Sequence, residues 1–192
     1  MKSKSLSSNW WQVHQSVQAL HQGGVIAYPT EAVWGLGCDP FNADAVAQLL
    51  AMKRRPESKG LVLVAASIAQ VEPLLQGLTA EQRAQLEASW PGPYTWVIPD
   101  PHNLIPAWIR GDSQSVAVRV SAHPVVKSLC EAFGGLLVST SANPSSHQPA
   151  KDALRVRTYF GDQLAAVVPG ALGDQAQPTQ IRDLISGRIF RA

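Results

Sequence analysis

Four of the sixteen Lys and Arg residues of this 192-residue chain fall within seven positions, Lys53-Arg54-Arg55-Pro56-Glu57-Ser58-Lys59. Such a cluster has two readings. Cations at the C-terminus of a helix offset the negative end of its dipole by about 0.3–1 kcal/mol. Cations converging on one mouth of a sheet instead make a clamp for a polyphosphate. Lys59 favours the clamp, because it lies beyond the helix and just before an apolar run, where the dipole gives no reason for it. Arg119 is a second anomaly, set inside Val116-Ala117-Val118-Arg119-Val120, where three valines share one face and Ala117 and Arg119 the other. It is either an edge-strand residue in water or a buried fork for a carboxylate or phosphate, and the buried case demands an anionic partner.

Hydrogen-bonding side chains gather at two further places. Ser139-Thr140-Ser141-Ala142-Asn143 supplies four of them directly after apolar Leu136-Leu137-Val138. Loops past strand ends are where α/β sheets bind ligands, although the same residue types also build ordinary turns and caps. YPTEAVWGLG, residues 28–37, holds Thr30 and Glu31 between two apolar runs. Pro29 fixes the strand exit, and Gly35 and Gly37 permit close backbone approach to a cavity.

Other chemistries fit poorly. Gly35-Leu36-Gly37-Cys38-Asp39-Pro40 starts like a dinucleotide fingerprint, but Pro40 stands where the third glycine belongs. No G-x-x-x-x-G-K-[ST] occurs. A triad drawn from these serines, His123 and Asp112 or Asp183 lacks a nucleophile elbow, and His123 before Pro124 reads as a helix-start residue. Cys38 and Cys130 are the two cysteines, without CxxC or HxxxH spacing, so no protein metal site is indicated. Trp34, Trp90, Trp96 and Trp108 sit among prolines and apolar residues rather than cations, which suits core or pocket lining better than a base-stacking groove.

The elements that must position these groups follow from pattern. Trp10, Val13, Val17 and Leu20 mark a helix from about Asn9, ended by Gly23-Gly24. Asn42 caps a second helix that closes in Lys53-Arg54-Arg55 before Pro56. Thr79 and Gln82 form a capping box for a third, ending at Trp90-Pro91, and Pro124 opens a fourth that stops at Gly134-Gly135. A further helix covers roughly Asp152–Phe160. Strands are expected at 25–28, 61–64, 94–98, 116–120 and 136–138, with short ones near Val167 and Ile181. Alternation of both element types gives an α/β or α+β fold with a mixed sheet, as one domain over 1–192. Apolar residues at 45% allow a real core, while a formal charge of +2 permits contact with nucleotides or RNA without demanding it. No signal-like or membrane-spanning run is present, so a cytoplasmic protein with reduced thiols is expected.

Read together, YPTEAVWGLG (28–37), KRRPESKGL (53–61), PGPYT (91–95), VAVRVSAHP (116–124), STSAN (139–143) and PTQIRD (178–183) resemble the YrdC domain family, most closely its short single-domain threonylcarbamoyl-AMP synthases of TsaC type. The resemblance implies a YrdC-like α/β (α+β) fold, a twisted mixed sheet flanked by helices with a basic concave cavity. It also implies condensation of L-threonine, bicarbonate and ATP, with Mg2+, into threonylcarbamoyl-adenylate and pyrophosphate. Downstream threonylcarbamoyl-transferase proteins would then modify the adenosine beside the anticodon of tRNAs reading ANN codons, with weak binding to tRNA or other RNA possible.

By the same resemblance Thr30, Arg119, Ser139 and Thr179 face threonine and its carbamate. Lys53, Arg55 and Lys59 face the triphosphate, with Lys53 and Arg55 as the catalytic cations, and Thr95, Ser141 and Asn143 lie on the nucleotide side. Gly60, Val64 and Gln180-Ile181-Arg182 depart from the family pattern. The implied chemistry needs two anions held together, which cations must offset, and no general base stands out. Glu31 is expected to orient Mg2+ or a basic side chain. The rival reading is an RNA-binding maturation factor using the same cavity without chemistry.

Overall fold

Nine strands join into one mixed sheet in the computed structural model, which describes residues 6–191. The elements in chain order are α1 (Leu6–His21), β1 (Ile26–Pro29), β2 (Trp34–Gly37), α2 (Ala43–Lys53), β3 (Val62–Ala65), α3 (Ile68–Leu75), α4 (Ala80–Ser89), β4 (Tyr94–Pro99), α5 (Ala107–Arg110), β5 (Ser115–Val120), α6 (Pro124–Phe133), β6 (Leu137–Ser141), α7 (Ala153–Phe160), β7 (Ala166–Val167), β8 (Gln180–Asp183) and β9 (Ile189–Arg191). Strands lie side by side in the order β7-β1-β2-β6-β3-β5-β4-β8-β9. β1 with β7, β3 with β5 and β4 with β8 run parallel, and the other neighbours antiparallel.

Local chemistry sets the helix ends. Asn42 accepts from the Ala45 N–H at 3.0 Å, and Thr79 and Gln82 make a reciprocal capping box. Gly134, at φ 80, closes α6 in the left-handed conformation that glycine adopts freely. α3 and the four-residue α5 were not anticipated; α3 carries Pro73 inside it, a residue that argues against a helix from sequence alone.

The sheet buries apolar side chains on both faces. On one face Trp34, Leu36, Leu63, Val118 and Trp96 pack with α2, α3 and α4 residues such as Leu49, Leu75 and Leu86. On the other, Val13, Val17 and Leu20 of α1 and Val125, Val126 and Leu129 of α6 cover Ile26, Tyr28, Val64 and Leu137. Each such side chain contributes about 1.5–3 kcal/mol when fully buried.

That second face also carries the hollow. Alternation and register place Ser139 and Ser141 on the same face as Leu137, Val62 with Val64, and Arg119 beside Val64. Gly35 lies opposite both Tyr28 and Ser141. Large apolar residues fill the face under α1 and α6, whereas small and hydroxyl-bearing ones continue it beyond them. A concavity results there. Among the described residues no helix is long and apolar enough to cross a membrane.

Candidate functional site

The concavity is an open cleft of about 740 Å3, its solvent-facing mouth included. Its walls include Thr30, Gly35, Arg55, Val62, Arg119, Ser139, Ser141, Thr179 and Ile181. Five strands therefore contribute to it, with the turn between β1 and β2 on one side and the segment leading into β8 on the other. Six of the residues expected from sequence meet here: Thr30, Arg55, Arg119, Ser139, Ser141 and Thr179.

Arg119 settles one open alternative. β5 lies between β3 and β4, so Arg119 is on a central strand and not an edge. It is 6% exposed. Its Nη1–H donates to Thr179 Oγ1 at 2.7 Å, and Nη2 lies 3.5 Å from Glu31 Oε2. Among the described residues its buried Nε has no hydrogen-bond partner. A buried guanidinium with part of its donor fork unspent is a receptor for an anion.

The Thr30–Glu31 turn is tightly folded. Both the Thr30 N–H and its hydroxyl donate to the Val33 carbonyl, at 3.2 and 2.7 Å, so the oxygen facing the cleft offers lone pairs rather than its proton. A strap from 170 to 179 locks this turn: Gly173 N–H donates to Thr30 O at 3.0 Å and Gln175 N–H to Glu31 O at 3.1 Å. A Cβ on Gly173 would sit 2.9 Å from the Glu31 carbonyl oxygen. The same strap delivers Thr179 to Arg119.

The two glycines of the 28–37 stretch have separate tasks. Gly35 lines the cleft as expected. Gly37 does not: a Cβ there would meet Val138 O at 2.5 Å and the Tyr28 ring at 2.7 Å. It makes room for Tyr28, whose buried hydroxyl donates to Val138 O at 2.9 Å. Burial pushes that phenol above its ordinary value.

Of the cation cluster, Arg55 alone lines the cleft. Its Nη2 donates to Gly60 O at 2.9 Å, its buried Nε has no hydrogen-bond partner among the described residues, and burial lowers its pKa. Lys53 is turned inward at 4% exposed and donates to the carbonyls of Ser141 and Asn143, the latter at 2.8 Å. Burial, followed by the nearby Arg55 charge, pushes Lys53 down to about 8. Lys59 is exposed in the turn after α2, outside the cleft wall. Arg54 is an exposed left-handed cap of α2 at φ 51. The helix-end and cleft readings of this cluster thus divide among its members.

Thr95 and Asn143 support rather than line the cleft. Thr95 is fully buried, its hydroxyl 3.4 Å from that of Thr179. Asn143 accepts from Ser141 Oγ at 2.6 Å and donates to the carbonyls of Pro144 and His147. Gly60, at φ 63, donates its N–H to Glu57 O. A proline could do neither. His123 caps no residue with its ring; Nε2 lies 3.1 Å from Ala171 O, and burial lowers its pKa. Glu31 and Ser121 had no assigned partner from sequence, yet the Ser121 hydroxyl donates to Glu31 Oε1 at 2.6 Å across 90 residues of chain. A buried acid inside a recognisable motif was the signal for Glu31. Ser121 gave none beyond following the Arg119 strand.

No cluster of three His, Cys, Asp or Glu side chains occurs among the described residues, and Glu31 is already engaged with Ser121 and Arg119. The residues present therefore suit a divalent ion carried on a ligand's phosphates better than one caged by protein.

The model of the Sua5/YciO/YrdC family, described as telomere recombination, matches residues 18–192. The chain belongs to this family. A relative from Halorhodospira halophila named threonylcarbamoyl-AMP synthase is 55% identical over 181 residues, covering 94% of each chain. One of the same name from Cellvibrio japonicus is 52% identical, over 94% of this chain and 95% of its own. Among solved structures, P. abyssi Sua5 complexed with L-threonine superposes with a TM-score of 0.86 at 28% identity, over 94% of this chain and 53% of that one. The chain thus spans about half the length of that Sua5 protein. E. coli YciO, at 22% identity and TM-score 0.82 over 95% of this chain and 89% of that one, shares the fold.

Proposed function

We propose that this chain is an L-threonylcarbamoyladenylate synthase, a nucleotidyltransferase that forms threonylcarbamoyl-AMP and pyrophosphate from L-threonine, bicarbonate and ATP for tRNA modification. The observation that carries the site assignment is the buried, incompletely paired Arg119 in a cleft ringed by hydroxyls with Arg55 at its wall. Full-length relatives named for this activity at 55% and 52% identity support it. They also disfavour a non-catalytic RNA-binding role.

In this reading the threonine carboxylate pairs with Arg119, while Thr30, Ser139 and Thr179 take its hydroxyl, amine and nascent carbamate. Bicarbonate adds to the amine with loss of water, and the carbamate oxygen attacks the α-phosphorus as pyrophosphate leaves. Arg55 faces the phosphates. Lys53 steadies the Ser141–Asn143 loop from behind and adds positive charge to the nucleotide side, with Thr95 and Asn143 as further supports. Lys59, on the exposed turn, reaches phosphate only at the mouth. Mg2+, held on the ATP phosphates that Arg55 faces, would supply charge neutralisation at the leaving group. Positioning and electrostatics leave the protein little covalent work.

Partners follow from the product: an activated carbamoyl-adenylate must pass to a transferase acting on tRNAs that read ANN codons, in the cytoplasm. The reading is tested by threonine-dependent pyrophosphate release from ATP. Release that ignores threonine would refute it.

A further inference from the structure

Behind Arg119 lies a buried polar set that the proposed reaction does not consume: Glu31, Ser121 and His123, at 7%, 0% and 6% exposed. Glu31 is not among the side chains that wall the cleft. Its geometry toward Arg119 is unusual. An arginine and a carboxylate this close normally settle into two parallel bonds of about 2.7–2.9 Å. Here the nearest approach, Nη2 to Oε2, is 3.5 Å, and among the described residues Oε2 has no hydrogen-bond partner.

The other carboxylate oxygen shows why. Ser121 Oγ–H grips Glu31 Oε1 at 2.6 Å, while Ser121 Oγ itself accepts the His123 N–H at 3.1 Å. The Ser121 N–H is fixed on Ala65 O at 3.0 Å, so the hydroxyl is anchored at the end of β5 and cannot follow the acid toward Arg119. His123 is anchored in turn through Nε2 on Ala171 O. Glu31 thus offsets the charge of a buried guanidinium without occupying its donor fork.

We propose that Ser121 is a positioning residue for amino-acid recognition, holding the Glu31 carboxylate off Arg119 so that the guanidinium stays open to the carboxylate of the substrate. This rests on the threonine reading of the cleft. Without the Ser121 hydroxyl, Glu31 closes on Arg119 as a paired fork, and an incoming carboxylate has to displace it. Ser121 therefore governs threonine affinity and leaves the nucleotide side, at Arg55 and the Ser141–Asn143 loop, untouched.

Calorimetric binding of L-threonine, and of ATP separately, is measured on the wild type, Ser121→Ala and the double variant Ser121→Ala/Glu31→Gln. Ser121→Ala is expected to bind threonine about 10–100-fold more weakly, the range one charge-assisted hydrogen bond carries, with ATP binding unchanged. The double variant should recover part of that loss, because the carboxylate that closes is gone; a merely structural role predicts a further loss instead. Unchanged threonine affinity in Ser121→Ala, or a double variant no tighter than the single, overturns the proposal. Wild type that fails to bind threonine refutes the threonine reading and the proposal with it. Should Ser121→Ala not fold, Ser121→Cys keeps the side-chain shape at a slightly larger volume and with a weaker donor; the same selective loss is expected of it, and wild-type affinity there overturns the proposal.

Discussion

Lys53→Met gives a sharp physical test of how the loop beside the cleft is held. The methionine keeps the apolar stem and removes the amine that donates to the Ser141 and Asn143 carbonyls. Near neutral pH two effects oppose each other. Ser141 O still accepts the Asn143 N–H at 3.0 Å, so the loss falls on the Asn143 carbonyl at about 1–3 kcal/mol, and removing a buried ammonium returns part of it. The pH dependence separates them. Lys53 titrates at about 8 in the folded protein against 10.5 for a free side chain. Between those values the unfolded chain binds more protons than the folded one, so the stability gained from this residue rises with pH. At 1.36 kcal/mol per unit the full gain approaches about 3 kcal/mol; the two carbonyl acceptors favour the ammonium, which sets the expected gain at about 1–3 kcal/mol. Urea unfolding of both proteins near pH 7 and near pH 10 measures it as a difference. Wild type should gain on Lys53→Met by that amount as pH rises. A difference independent of pH would refute the burial argument, and a wild type that loses on Lys53→Met as pH rises would reverse its sign.

Other substitutions test separate links. Arg55→Ala should leave the fold intact and cut kcat/KM for pyrophosphate release by about 10²–10³, the loss typical of one removed transition-state donor. Gly37→Ala should lower stability by about 1–3 kcal/mol, because its Cβ meets Val138 O and the Tyr28 ring below 3 Å; a thermal melt should show about 2–4 °C per kcal/mol. Tyr28→Phe should cost about 1–3 kcal/mol by removing the buried hydrogen bond to Val138 O, read in the same urea unfolding.

What the sequence made legible was whatever local pattern controls. Asn42, the Thr79–Gln82 box and Pro124 each marked a helix start, and the apolar run 136–138 emptied into hydroxyls where the cleft lies. Long-range placement was hidden. A strand pattern of valines around Arg119 reads the same at an edge or in the centre, and only pairing with both β3 and β4 distinguishes them. The Ser121–Glu31 contact joins segments 90 residues apart, beyond any periodic signal. The cation cluster was visible as a group, but helical phase and loop closure sent Lys53 inward, Arg55 to the cleft and Lys59 to solvent. Pro73 concealed α3 because a proline inside an eight-residue helix contradicts propensity that tertiary packing of Val71, Leu74 and Leu75 overrides.

The central claim is that this cleft joins threonine to the adenylate of ATP. Pyrophosphate release by the purified protein with Mg2+, bicarbonate and ATP, in parallel with L-threonine, L-serine, L-alanine or no amino acid, tests it most directly. The account predicts release that depends on L-threonine and falls steeply in an Arg119→Ala variant. Release that is equal without threonine, or none from the folded protein under any condition, would contradict it.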